Sequence, residues 1–161
     1  MDHTRESRFQ AIAARLGHSF DGAIQVGGHY APVVHHGTEV YVSGQVPRVG
    51  SSLVLTGRVG TELTLIQAQT AAGICVMRAL ALLRQSLGSL DAVERVLRMT
   101  VYVQCSADFT QLSEVADGAS DLLHEVLGEA GVHTRTSVGV YQLPKNAPVE
   151  LDLIATALSE G

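Results

Sequence analysis

Arg135 and Glu150 are the residues of this chain best suited to chemistry on a small acid. In TRTSVGV, strand alternation puts Arg135, Ser137, Gly139 and Tyr141 on one face, and in VELDLIA it puts Glu150 and Asp152 together, opposite Val149, Leu151 and Leu153. A guanidinium beside small residues offers two parallel N–H donors to a carboxylate. A carboxylate close by could orient a water or carry a proton. Arg and Glu on edge-facing sheet positions usually form solvated ion pairs, and on the residues alone that reading is the stronger of the two.

Other chemistries are poorly supplied. His35 and His36 are adjacent in a strand-like segment and should point to opposite faces, away from a common ion. His124-Glu125 begins an HExxH pattern, but position 128 is Gly, and His133 falls in a loop. Neither a phosphate-binding GxxxxGK[ST] nor a GxSxG elbow occurs, since GRVGTE at 57–62 and SGQ at 43–45 fit neither pattern. Cys75 and Cys105 sit in apolar segments, as buried reduced thiols do. No metal and no cofactor is expected.

Composition narrows the partners. The net charge of −5 and the single lysine, Lys145, disfavour a phosphate-gripping surface, and aromatic residues make up only 4%. Nucleic acid is therefore an improbable partner. The polar start MDHTRESRFQ, the absence of an apolar run near ~18 residues and the two thiols predict a cytoplasmic protein without a membrane segment. With 161 residues, 46% apolar and only 17% charged, the chain suits one domain whose neutral surface is covered by self-association.

The elements that must position Arg135 and Glu150 follow from periodicity. Phe9, Ile12, Ala13 and Leu16 share one face of a short helix, so residues 1–20 read as an N-terminal helical extension and 21–161 as a single domain. Strands are predicted in AIQV, PVVHH and EVYVS, with a Gly- and Ser-rich loop over 46–62 and one short strand at 53–55. Thr64 and Gln67 form a capping-box pattern opening a helix that Gly88 closes near Leu87. The strand RVLRMTVYVQC, a helix over 109–127 and two final strands around LPKNAP complete the series. The expectation is an α+β domain: a mixed sheet of about six strands, two main helices on one face, and the other face solvated or covered by another copy.

The stretches VGGHYAPVVHHG, YVSGQVP, QTAAGICVMRALALL, LDAVERVLRMTVYVQCSADF, HTRTSVGVYQLP and VELDLIA, taken together and in this order, resemble the Rid (reactive intermediate deaminase) or YjgF family from about Ala23 to Ala157. DGASDLLHEVLGEAGVHTR is similar to a longer subgroup of that family. The resemblance implies a chorismate-mutase-like fold, a homotrimer and active sites between subunits. It also implies that Arg135 holds a substrate carboxylate, Glu150 directs water and Tyr30 lines the pocket, with Ser43 and Gly44 in the SGQ turn. Ser137 stands where the family often has Cys, and Asp117 where Asn is common; both departures bear on substrate choice.

A hairpin pairing of 134–142 with 149–158 would set Arg135 about 23 Å from Glu150, at ~3.3 Å per residue. One ligand could then meet both only between two chains. The function expected is hydrolysis of an enamine or imine, such as a small 2-imino acid, to a 2-oxo acid and ammonia. The alternatives are a non-catalytic module binding small carboxylates and, disfavoured by acidity and scarce aromatics, an endoribonuclease or translation inhibitor.

Overall fold

The computed structural model describes residues 3–159. Its main sheet has five strands: β1 (Val33–His36), β2 (Glu39–Gln45), β5 (Val93–Gln104), β6 (Thr134–Val140) and β7 (Val149–Ala157). A separate pair, β3 (Arg48–Val49) and β4 (Ser52–Leu53), lies in the Gly- and Ser-rich segment where one short strand was expected. AIQV is not a strand, so the sheet is one narrower than the pattern suggested. Gly22, Gly27 and Gly28 bracket that segment, and a four-residue alternation between glycines is too short to outweigh their cost in a ladder.

The described residues form three α-helices, α1 (Arg5–Leu16), α2 (Leu65–Leu87) and α3 (Leu112–Leu127). Thr64 caps α2 as its spacing predicts: the Gln67 N–H donates to Thr64 Oγ1 at 3.2 Å, and the Thr64 N–H donates to Gln67 Oε1 at 2.9 Å. Gly88, at φ 86°, ends the helix in the left-handed conformation that favours glycine. By length and composition Leu65–Leu87 could cross a membrane, contrary to the expectation that no apolar run is long enough, but 72% of that apolar window is buried inside the fold.

The sheet order is β1-β2-β7-β5-β6, antiparallel except for the β5–β6 pair. The expected hairpin is therefore wrong: β5 lies between β6 and β7, making ladders with both. Six residues of LPKNAP would suit a hairpin loop, but β6 follows β5 through α3, and such a crossover delivers a parallel neighbour.

Alternation on β7 sets two faces. Val149, Leu151, Leu153 and Ala155 are buried beneath the helices, while Glu150, Asp152, Ile154 and Thr156 point to the uncovered side. One core joins Leu151 and Leu153 to Ile74, Leu80 and Leu83 of α2, Leu123 of α3, and Phe9 and Ile12 of α1. Close helix approach depends on Gly118, where a Cβ would lie 2.4 Å from the Gln69 carbonyl oxygen. That crossing holds α3, and with it Asp117 and Ser120, over β6.

Candidate functional site

Glu150 opens into a cleft of about 410 Å³, a volume suited to a small organic ligand. Tyr30, Ser43, Gly44 and Glu150, all singled out from the sequence, line it together. The bond between them is a β-bulge: three steps on β2 from Val42 to Gln45 match two on β7 from Leu153 to Leu151. The extra residue turns both Val42 and Gln45 inward and leaves Ser43 and Gly44 beside Glu150. A Cβ on Gly44 would stand 2.2 Å from Glu150 Oε1, so the carboxyl rests in space only a glycine leaves open.

Burial pushes the Glu150 carboxyl above its ordinary range, and the neighbouring Asp152 adds to the rise. Asp152 is itself raised, mainly by burial. A carboxyl so placed exchanges a proton closer to neutrality than an exposed glutamate does.

Three cations on the cleft wall carried no signal in the motif reading: Arg48, Arg78 and Lys145. Arg78 projects from the apolar helix α2 and is only 6% exposed. Its Nε donates to Gln45 Oε1 at 3.2 Å and its Nη1 to the Arg48 carbonyl at 2.8 Å. The usable signal was its type: an arginine within ICVMRALALL interrupts a run that otherwise packs as core. Lys145 is held at φ 59°, and Asn146 at φ 60°, left-handed values that are uncommon without glycine. Gln104 stabilises this turn by donating to Asn146 Oδ1 at 2.8 Å and accepting from the Leu143 N–H at 2.8 Å.

Arg135 and Asp117 belong to a second place, on the helix-covered side. Arg135 Nη1 donates to Asp117 Oδ1 at 2.8 Å and to Ser120 Oγ at 2.9 Å, and Nη2 donates to the Ser113 carbonyl at 3.3 Å. Ser120 Oγ also meets His133 Nε2 at 2.9 Å. Burial lowers the His133 pKa, so this ring favours its neutral form. Ser137 lies two positions along β6 on the same face as Arg135, level with Val101 of β5.

Met99 of β5 pairs with Arg135 on one side and Leu153 on the other. Within one chain, Arg135 is thus three residues, about 10 Å, along the strands from Glu150 and two strand spacings, about 10 Å, across. The hairpin separation of about 23 Å is replaced by this shorter one, but the side chains leave opposite faces of the sheet. Sequence reasoning grouped seven residues; one chain brings four of them together and pairs two others elsewhere.

Both thiols are raised by burial, Cys75 strongly, and so stay protonated. Among the described residues, no cluster of three His, Cys, Asp or Glu side chains could hold a metal ion.

Residues 6–156 match the family described as "YjgF/chorismate mutase-like, putative endoribonuclease". The chain is 39% identical over 155 residues to Protein TCP17 of Trypanosoma cruzi, covering 96% of this chain and 97% of that protein. The crystal structure of Atu1372, a protein of unknown function from Agrobacterium tumefaciens, is 33% identical with a TM-score of 0.84, over 96% of this chain and 94% of that one. A structure titled "putative endoribonuclease" from Shewanella oneidensis MR-1 is 29% identical with a TM-score of 0.87, over 95% and 99% of the two chains.

Proposed function

The chain belongs to the YjgF/chorismate mutase-like family, and we propose that it hydrolyses a small 2-imino acid, or the enamine that tautomerises to it, to a 2-oxo acid and ammonia. The observation that carries this reading is Glu150, half-buried with its pKa raised by burial and seated on Gly44 in a cleft of small-molecule size.

The chemistry needs one water, both of whose protons end on nitrogen. Glu150, ionised, takes the first proton as the water oxygen bonds to the imine carbon and the C=N electron pair moves onto nitrogen, and it returns that proton to nitrogen to give a carbinolamine. The hydroxyl proton then passes to nitrogen by the same carboxyl, the C–N bond breaks, its electron pair leaves with ammonia, and the oxygen closes to the carbonyl. Imine carbon is already electrophilic, so orientation and a carboxyl with a raised pKa supply the catalysis. Tyr30 and Ser43 border the same space and would orient the substrate.

Arg135 enters this scheme only from a second copy, because its own chain turns it to the other face of the sheet. A homotrimer with clefts between subunits would meet that need. The uncovered sheet face supports self-association: Val34, which pairs with Tyr41, is 53% exposed, and Val138 is also exposed. The ligand is then a small carboxylate held by the neighbour's Arg135 fork over the Glu150 side chain.

The test uses 2-iminopropionate generated in situ and follows ammonia release. Wild-type protein should accelerate hydrolysis, Glu150→Gln should lose about 100-fold or more, and Arg135→Ala should nearly abolish turnover without dispersing the assembly. Unchanged turnover in both variants would remove the mechanism. Binding of pyruvate without ammonia release would favour a carboxylate-binding module, and RNA cleavage lost with Arg135 would favour the endoribonuclease reading.

A further inference from the structure

Arg78 is a buried cation without an ionic partner among the described residues. The described ion pairs engage Arg15, Arg84 and Arg135, while Arg48, Arg78 and Lys145 have no carboxylate within salt-bridge distance among the described residues. The partners of Arg78 are neutral oxygens: a side-chain amide and a backbone carbonyl. Beside it, Arg48 Nε is buried and makes no hydrogen bond at all. Desolvating a guanidinium is costly unless an anion compensates it, and a buried donor left unmade costs further. Such a placement is uneconomical for stability alone and fits a site whose counter-ion arrives from outside.

The cleft wall has three cations to one carboxylate, Glu150. The cations come from separate segments: Arg48 from β3, Arg78 from α2, and Lys145 from the left-handed turn before β7. The site is therefore built by the fold, with Gln45 of the β2 bulge fixing the Arg78 fork and Gln104 fixing the turn that bears Lys145.

We infer that Arg78, seconded by Arg48 and Lys145, anchors an acidic group of the ligand inside the cleft of a single protomer, making the preferred ligand a small organic dianion. One acidic group sits against Arg78, Arg48 and Lys145; the other remains for a second cation, the neighbouring copy's Arg135. For the chemistry this rests on the imine-hydrolase reading, and the substrate class becomes 2-imino dicarboxylic acids. The anion anchor itself is independent of any reaction.

Calorimetry with succinate and its monoamide, succinamate, isolates the second charge. Wild-type protein should bind succinate at least tenfold more tightly, and Arg78→Met should cut that preference below threefold. Its melting temperature should hold or rise, because an uncompensated charge has left the interior. Equal binding of the two probes, binding of neither, or a preference that survives in Arg78→Met overturns the inference. Should the Met variant fail to fold, Arg78→Lys and Lys145→Met carry the test: each should cut the preference at least threefold, and an unchanged ratio in both overturns it. Ammonia release from 2-iminopropionate is followed separately. Hydrolysis without a dianion preference sinks the anchor and keeps the Glu150 mechanism; a dianion preference without hydrolysis does the reverse.

Discussion

The carboxyl of Glu150 lies where a side chain on Gly44 would begin, 2.2 Å from the position of a Cβ. Because the intruding atom is the end of a flexible side chain, Gly44→Ala should fold and keep its melting temperature within a few degrees. The Glu150 carboxyl must move by an ångström or more, and misplacement on that scale costs up to about 100-fold in rate. Steady-state ammonia release beside thermal unfolding checks this; an active Gly44→Ala would mean that Glu150 need not sit on the bulge.

Asp117 occupies the Arg135 fork at 2.8 Å. Any carboxylate brought to Arg135 by a neighbouring copy must compete with it. Asp117→Asn removes that competitor, so KM for a 2-imino acid should fall severalfold with kcat little changed. The pair is half exposed on the aspartate side, so its loss should cost less than about 1 kcal/mol in stability. An unchanged KM would indicate that Arg135 serves only its own helix.

The pH profile should report the cleft. On the proposed mechanism Glu150 acts as a base in its ionised form, so activity should fall with acidification through its raised pKa. Asp152 contributes to that rise after burial itself. Asp152→Asn withdraws a negative neighbour, favours ionised Glu150, and should move the acid limb of kcat/KM to lower pH. A limb that stays in place assigns it to another group.

The same raised pKa has a stability consequence of definite sign. Folded Glu150 binds its proton more tightly than the unfolded chain does, so stability falls as pH rises from the unfolded value through the folded one. Glu150→Gln should therefore raise the melting temperature near neutrality, and screening at this half-exposed position keeps the gain small. The gain should vanish below the ordinary glutamate range. Melting curves at acidic and neutral pH decide it.

Gly118→Ala tests the helix crossing. An added methyl meets the Gln69 backbone at 2.4 Å, where no flexible chain end can yield. The cost should be about 1–3 kcal/mol by denaturant unfolding, as for overpacked cores. Because α3 bears Asp117 and Ser120, the variant should also disturb Arg135 before it disturbs Glu150.

The long elements were legible because their signals are local. Thr64, Gln67 and Gly88 delimit α2 by caps, and the alternation of Val149 to Ala155 marks β7 without reference to any partner. Pairing was not legible, since β6 and β7 are equally compatible with a hairpin and with a shared neighbour. Only the packing of α3 across β5 and β6 decides between them. The site divided in the same way: Tyr30, Ser43, Gly44 and Glu150 were recognised by motif and meet in one cleft. Arg78 was missed because its helical spacing places it among core residues, and nothing local shows that Gln45 and a backbone carbonyl will receive it.

The strand at the centre of the sheet is the last of the described strands in chain order. β7 separates β2 from β5 and carries Glu150, so the halves β1-β2 and β5-β6 stay unjoined until residues 149–157 have been made. A chain cut before Val149 would expose the facing edges of β2 and β5 and would lack both Glu150 and the bulge that seats it. Joining the two halves and forming the cleft are thus one event in the life of the chain.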